Sequence, residues 1–377
     1  MKSICIIANG YPTKDNPEYA FIRPVAHGFA DNGIECTVIA PQSKTNIILG
    51  RKRKRPLLWY DTTEQGNKVK VIQPKAMTFS LTKLKGTAIS SILTDNAVRK
   101  AIRKYNLNPD VFYGHFWECG MTAAKVCKGK PVYVACGESE IWVYQRYSKE
   151  IVDKLLPRIN GVICVSTKNK TECQNMGLLK DNPRVVVLPN GIDSNEFYNM
   201  PQEEARKKLG IDPNCLIASF VGAFIERKGV LRLVEAARKI PELKLILVGA
   251  GDQKPESDQI LFAGRLPHED IVTYLNASDM FVLPTQAEGC CNAIVEAMAC
   301  GLPIISSNLS FNDDILDNSN SIRIDPNSVD EISNAIYTLH KDIEVRRSMS
   351  EASLSKARKF TIEQRVNSII QFIGEKI

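Results

Sequence analysis

The chain has 377 residues, 44% hydrophobic and 24% charged, with a net charge of +7. That length suits two cores better than one, the balance is that of an ordinary globular protein rather than a disordered or fibrous one, and no apolar run reaches the ~18 residues of a bilayer span. The 11 cysteines are scattered without a CxxC pair, which describes neither a disulfide framework nor a zinc site and points to a reducing cytosol.

Charge is uneven along the chain. Residues 1–190 hold 29 Lys+Arg against 15 Asp+Glu and the remainder 20 against 27, so +14 contrasts with −7. The first half is therefore suited to something anionic: membrane phospholipid, a phosphorylated acceptor or nucleic acid. Nucleic acid ranks last, because no RNP, zinc-finger or helix-turn-helix signature accompanies the charge.

Met1 to Asn9 is too short for a signal-peptide core, and Lys2 to Ala8 reads as the first strand. A Pro/Asp/Asn-rich loop, Tyr11 to Pro17, leads into a helix over Glu18 to Asn32, and Ile34 to Pro41 is a second strand. Five consecutive basic residues follow, Arg51, Lys52, Arg53, Lys54 and Arg55, running into an aliphatic and aromatic tip that includes Trp59. A solvated loop explains such a run as well as an anionic bilayer does, at about 1 kcal/mol per basic residue near a surface. Leu81 to Tyr105 reads as a basic helix. Strands then recur at Val111 to Gly114, Pro131 to Ala135, Val162 to Ser166 and Arg184 to Pro189, alternating with helical stretches as in βαβ units. His115, Glu118, Gly120, Gly137 and Glu138 follow strand ends and can line a cleft.

Beyond a hinge near Asn190 to Glu204, strands are expected at Leu216 to Phe224, Leu243 to Gly251, Phe262 to Leu266, Asp279 to Pro284, Pro303 to Ser307 and Ile322 to Pro326. Helices are expected over Val230 to Ile240, from His268, over Val329 to Lys341, from Val345, and from Ile362 to the end. Arg227 and Lys228 sit at a strand-to-helix turn, where a fork and a point charge can neutralise phosphate. Between the fourth and fifth of these strands lies E-G-C-C-N-A-I-V-E-A-M-A-C-G-L-P, Glu288 to Pro303. Gly289 permits a sharp turn, Asn292 is the expected N-cap, and Gly301 with Pro303 ends the helix. A helix N-terminus opening at Gly289 to Asn292 favours an anion, and Glu288 and Glu296, eight positions apart, can face one cleft. Cys290 and Cys291 read as small filler in that loop.

The stretch E-G-x-x-N-A-x-x-E-A-M-A-C-G-x-P resembles the E-x7-E signature of the GT4-type retaining glycosyltransferases. Y-P-x-x-x-x-P-x-x-A-F-I-R-P-V-A is similar to the opening of many members, with Ala20 where the family often has Gly, and Leu188 to Phe197 (L-P-N-G-I-D-x-x-x-F) is similar to their interdomain segment. The resemblance implies an α/β chain of GT-B fold, two facing Rossmann-like domains with a deep interdomain cleft. Residues 1–190 would be the acceptor-binding domain, joined by a C-terminal helix over about 361–377, and 191–360 the nucleotide-sugar-binding domain.

The resemblance also assigns roles. Glu288 meets the donor sugar, Glu296 the ribose, and Gly289, Cys290, Cys291 and Asn292 the diphosphate. Lys228 matches the family's phosphate-binding lysine, Arg227 supplies a second cation, and Arg265 contacts base or ribose. His115 resembles a histidine often found at that strand end, while Cys136 stands where relatives commonly show a His before Gly137. No D-x-D tripeptide occurs, so metal independence and no cofactor are expected. The implied reaction moves a hexose or N-acetylhexosamine from a nucleotide diphosphate sugar, UDP favoured, to an acceptor hydroxyl with retention. The acceptor would be a saccharide or polyprenyl-diphosphate-linked saccharide in surface polysaccharide assembly, with the protein cytoplasmic or peripheral on the inner face of the plasma membrane. Two rivals are a GT-B-like sugar-nucleotide epimerase, which needs an acid/base pair, and a non-catalytic membrane- or saccharide-binding scaffold.

Overall fold

The computed structural model describes residues 1–13, 18–181 and 183–375. Pro17 of the opening motif and the last two residues of the expected terminal helix lie outside them. The chain falls into two compact units, Met1–Leu188 with Val366–Ile377, and Pro189–Arg365.

In the first unit, strands β1 (Ser3–Ile7), β2 (Glu35–Ile39), β3 (Leu58–Thr62), β4 (Lys68–Ile72), β5 (Val111–His115), β6 (Val132–Cys136), β7 (Gly161–Cys164) and β8 (Arg184–Val187) form one sheet in the order β8-β7-β6-β5-β1-β2-β4-β3. Every neighbouring pair is parallel except β3 with β4. Central strands such as β6, VYVAC, are buried along their whole length, as a sheet covered on both faces requires. Its helices include α1 (Ile22–Asp31), α2 (Lys44–Ile48), α3 (Ile89–Lys104), α4 (Trp117–Val126) and α5 (Thr167–Asn175). In α1, Ile22, Val25, Ala26 and Phe29 recur at helical spacing and are buried.

The second unit holds β9 (Leu216–Val221), β10 (Leu243–Val248), β11 (Ile260–Gly264), β12 (Met280–Leu283), β13 (Ile304–Ser307) and β14 (Ser321–Ile324), ordered β11-β10-β9-β12-β13-β14 and parallel throughout. Strand order reverses between β9 and β12, so the loops after those two strands part and leave a crevice at their carboxyl ends. Helices α6 (Val230–Ala237) and α7 (Asn292–Ala299) open from those loops. The last helix, α8 (Ile362–Gly374), packs in the first unit from Val366 onward. A Cβ on Gly28 of α1 would lie 2.6 Å from Val366, and Arg184 Nη1 donates to the Phe372 carbonyl at 2.6 Å.

Two expectations in the first unit are corrected. Leu81 to Tyr105 is not one helix: Lys83–Leu84 pairs antiparallel with Thr87–Ala88, and α3 starts only at Ile89. Lys85 and Gly86 both take positive φ, 47° and 77°, which makes a tight hairpin turn and excludes a helix. Trp59 is not at an exposed tip. It lies in β3, donates from Nε1 to Gln73 Oε1 at 3.1 Å and meets Tyr11 edge-on at 5.9 Å. The rest of the tip is exposed as expected, at Leu57, Leu58 and Tyr60, and further exposed apolar side chains of this region include Ile48, Leu49, Phe79, Leu81 and Leu84.

Candidate active site

The loop after β9 runs Gly222 to Gly229, and its backbone is shaped by glycine. Gly229, at φ 79°, is the N-cap of α6, and a Cβ there would lie 2.6 Å from the Pro284 carbonyl. That close approach brings Arg227 and Lys228 against the loop after β12, where Gln286 N donates to the Arg227 carbonyl at 2.8 Å. Gly249 and Gly251, at the end of β10, serve the same loop. Cβ atoms on them would stand 1.8 Å from Gly222 O and 2.2 Å from Phe224 O, so V-G-A-G is a packing motif here.

Glu288 is the centre of the cluster, with 12% of its side chain exposed. Lys228 Nζ lies 2.5 Å from Glu288 Oε1 and Arg227 Nη1 3.1 Å from the same oxygen, to which Thr285 Oγ1 also donates at 2.9 Å. Arg227 additionally donates to the Ala287 carbonyl. Burial works against the Lys228 ammonium, but Cys291 and the Glu288 carboxylate outweigh it, so its pKa lies above the ordinary lysine value. All three Glu288 contacts fall on Oε1.

Gly289 is buried in a bend, and Cys290 and Cys291 follow it into α7. Burial pushes both thiols up, to about 11 for Cys290 and about 12 for Cys291, which suits filler rather than reactive thiolates. The expected N-cap is corrected: the cap is Cys291, which has no side-chain hydrogen bond to the helix, and Asn292 is the first helical residue. Asn292 Oδ1 is drawn instead to Asn190, whose Nδ2 donates to it at 2.8 Å and to the Cys290 carbonyl at 3.4 Å. The hinge asparagine thus braces the loop, a role that the L-P-N-G motif alone did not disclose.

Glu296 is buried in α7, and His268 Nε2 stands 3.9 Å from its Oε1 while Nδ1 stands 3.4 Å from Glu196 Oε2. The Glu196 carboxylate first, then Glu296, raise the His268 pKa from 6.5 to about 10. A raised imidazole contributes stability that is complete below pH 6.5 and lost as pH climbs toward 10. The melting-temperature advantage of the wild type over His268→Ala should therefore shrink across that window. With 57% of the ring exposed, solvent screening limits it to on the order of 2 °C. An advantage that is constant from pH 6 to 10 would show that the ring stays neutral. Arg265, just past β11, is exposed and makes no ion pair among the described residues.

In the first unit, His115 ends β5 and stacks on Phe21 with ring centroids 5.2 Å apart. Phe116 is held at φ 77°, a strained value for an aromatic residue, as α4 begins. Glu138 spans that turn: Oε1 accepts from Trp117 N at 2.6 Å and Oε2 from Gly137 N at 3.0 Å. Burial pushes its carboxyl up to about 7 against those donors, although the residue keeps some exposure. Both oxygens are engaged, so Glu138 caps α4 and fastens Gly137. His115, Gly137 and Glu138 do not line the first unit's cavity of about 490 Å³, whose walls include Asn9, Gly10, Arg53, Thr78, Phe79 and Glu118. Of these walls the sequence offered only Glu118 as a cleft residue, because the others come from segments far apart in the chain.

Comparison with known proteins gives the family and the fold. The family "Glycosyltransferase Family 4" matches residues 21–196, and "Glycosyl transferases group 1" matches residues 201–356. A Bacillus subtilis glycosyltransferase named for teichuronic acid biosynthesis is 29% identical over 252 residues, 64% of each chain. The Escherichia coli UDP-Gal:alpha-D-GlcNAc-diphosphoundecaprenol alpha-1,3-galactosyltransferase is 30% identical over 230 residues, 55% of this chain and 58% of that protein. The matches thus span less than two thirds of these relatives' own lengths. Among solved structures, sucrose-phosphate synthase from Thermosynechococcus elongatus superposes with a TM-score of 0.79 at 18% identity, covering 100% of this chain and 99% of that one. Anabaena HepE in complex with UDP gives 0.73 at 18%, covering 99% and 100%. At these identities the likeness carries the fold, GT-B, with its two Rossmann-like domains. By its two matching halves and its fold, the chain belongs to the GT4-type glycosyltransferases.

Proposed function

We propose that the protein is a retaining, metal-independent glycosyltransferase that moves a hexose or N-acetylhexosamine from a UDP-sugar to a hydroxyl of a lipid-linked saccharide. The observation that carries this reading is the Lys228, Arg227 and Glu288 cluster at the strand-order reversal of the second unit, beside the N-terminus of α7. The cations and the N–H groups of Gly289 to Asn292 stabilise the departing diphosphate, a role for preorganised charge in a water-poor site. Glu288 Oε2 accepts from a sugar hydroxyl and Glu296 from the ribose. The leaving phosphate oxygen takes the acceptor proton, so no separate general base is needed. UDP and a diphospholipid acceptor are favoured because the Escherichia coli relative is named for both.

Thermal-shift binding against UDP-, GDP-, ADP- and dTDP-sugars, with and without EDTA, tests the donor. The melting temperature should rise for UDP-sugars, equally with EDTA, and the rise should disappear in Glu296→Ala. A rise with another nucleotide alone, or an unchanged response in Glu296→Ala, would overturn the assignment.

The exposed basic and apolar side chains of the first unit support contact with an anionic bilayer. Arg51, Lys52, Arg53 and Lys54 are exposed near Ile48, Leu49 and Phe79, whereas Arg55 is turned inward to the Tyr11 carbonyl at 2.6 Å. Each of Arg53→Ala and Lys54→Ala should weaken partition onto anionic vesicles about fivefold at low salt, and Arg55→Ala should act through stability instead. Equal partition of wild type and Arg53→Ala would remove the bilayer from the proposal.

A further inference from the structure

Three cysteine side chains converge inside the first unit. Cys136 ends β6 and Cys164 ends β7, in register across that parallel pair, and Cys173 lies on α5, which packs against β7. Their Sγ atoms all lie within 4.8 Å of one another, with Cys173 and Cys136 3.6 Å apart, and all three residues are 0% exposed. No other group of His, Cys, Asp and Glu side chains meets in this way among the described residues.

Buried cysteine is commonly small apolar filler, and the other cysteines of this chain fit that reading. Three sulfurs at a common point are a different arrangement. Thiolates bound ~2.3 Å from one cation stand roughly 3.8–4.0 Å apart; the Cys173–Cys136 pair, at 3.6 Å, is close to that separation, and no pair exceeds 4.8 Å. Trp117 Nε1 donates to Cys173 Sγ at 3.2 Å, the kind of outer hydrogen bond that orients a ligand and stabilises a thiolate. No imidazole or carboxylate belongs to the group, so its donors are uniformly soft.

We propose that Cys136, Cys164 and Cys173 form a site for one soft d10 cation of the Cu(I) or Zn(II) class. Each thiol that becomes a ligand releases its proton to solvent, up to three per ion, and neither sulfur nor metal changes oxidation state. Gly137 and Glu138 follow Cys136 directly, and Trp117 joins Cys173 to the Glu138 carboxylate, so a bound ion fastens the turn at the end of β6. The inference does not depend on the glycosyltransferase activity proposed above.

The test uses the full chain, reduced and stripped of metal, titrated with Cd²⁺ as an optical probe and with Cu(I) against a chromophoric competitor. One ion per chain is expected, with thiolate-to-cadmium charge-transfer absorption and matching proton release. Cys164→Ser and Cys173→Ser should lose the band, while Cys127→Ser, a buried cysteine outside the group, should retain it. Trp117→Phe should weaken binding about 10–100-fold. Absence of the band in the wild type, or its persistence in both Cys164→Ser and Cys173→Ser, would overturn the site. Should the serine variants fail to fold, X-ray absorption of the Zn(II)-loaded wild type decides: three sulfur neighbours at about 2.3 Å support the site, and a shell of nitrogen and oxygen refutes it.

Discussion

Lys228→Ala is expected to lower the rate constant of sugar transfer ~10²–10³-fold, about 2.7–4 kcal/mol of transition-state stabilisation. The side chain is 13% exposed and stands where the strand order reverses, so its charge acts through a medium that screens it weakly. Negative charge grows on the diphosphate as the sugar departs, and a fixed ammonium is worth more to that state than to the bound donor. Arg227, with 37% of its side chain exposed and part of its guanidinium given to the Ala287 carbonyl, should matter less. Folding should survive the change, because Glu288 keeps Arg227 and Thr285 as partners. The measurement is kcat and KM separately for Lys228→Ala and Lys228→Arg, with melting temperatures as a control. A raised KM at unchanged kcat would show that Lys228 binds ground and transition states alike, and its catalytic role would be withdrawn.

Gly249→Ala should be the most destabilising single methyl in the second unit, at about 3 kcal/mol or more. The residue sits at φ 151°, and the added Cβ would fall 1.8 Å from Gly222 O with the Phe224 ring at 3.0 Å. Backbone, unlike a flexible side-chain end, cannot step aside there. Gly222 N donates to the Val248 carbonyl and Phe224 N to the Ala250 carbonyl, so displacement would also loosen the loop that carries Arg227 and Lys228. Gly264→Ala is the contrast: its Cβ would meet only the Phe262 ring at 3.6 Å, an ordinary contact, and the cost should stay within about 1 kcal/mol. Urea unfolding of both variants checks this. Equal midpoints would mean that the loop after β9 yields easily and is not held by the glycine clasp.

Much of the fold was legible because it is written in local pattern. Apolar runs marked β1, β12 and β13 to within a residue, and the start of β9, which ends three residues sooner than expected, while Gly301 and Pro303 marked the end of α7. Glu288 and Lys228 were legible too, since short motifs place them in loops at strand ends. The failures share a cause. The Lys83–Ala88 hairpin competes with helix-forming neighbours and wins through two left-handed residues, only one of them glycine. Asn292 has the chemistry of a cap, but Asn190, 102 positions away, offers it a different partner. Trp59 follows a basic run that suggests exposure, yet Gln73 and Tyr11 hold it in the sheet.

Sequence by itself thus determined the two runs of alternating strands and helices, the glycines at close turns and the chemical identity of the Glu288, Lys228 and Glu296 set. These depend on periodicity and backbone conformation, which neighbouring residues specify. Tertiary structure alone decided that β9 lies beside β12, that Glu288 Oε1 takes both cations, that His268 stands between Glu196 and Glu296, and that Cys136, Cys164 and Cys173 meet. Such contacts join residues far apart in the chain, and only burial of a shared core selects among the many partners that each side chain could chemically accept.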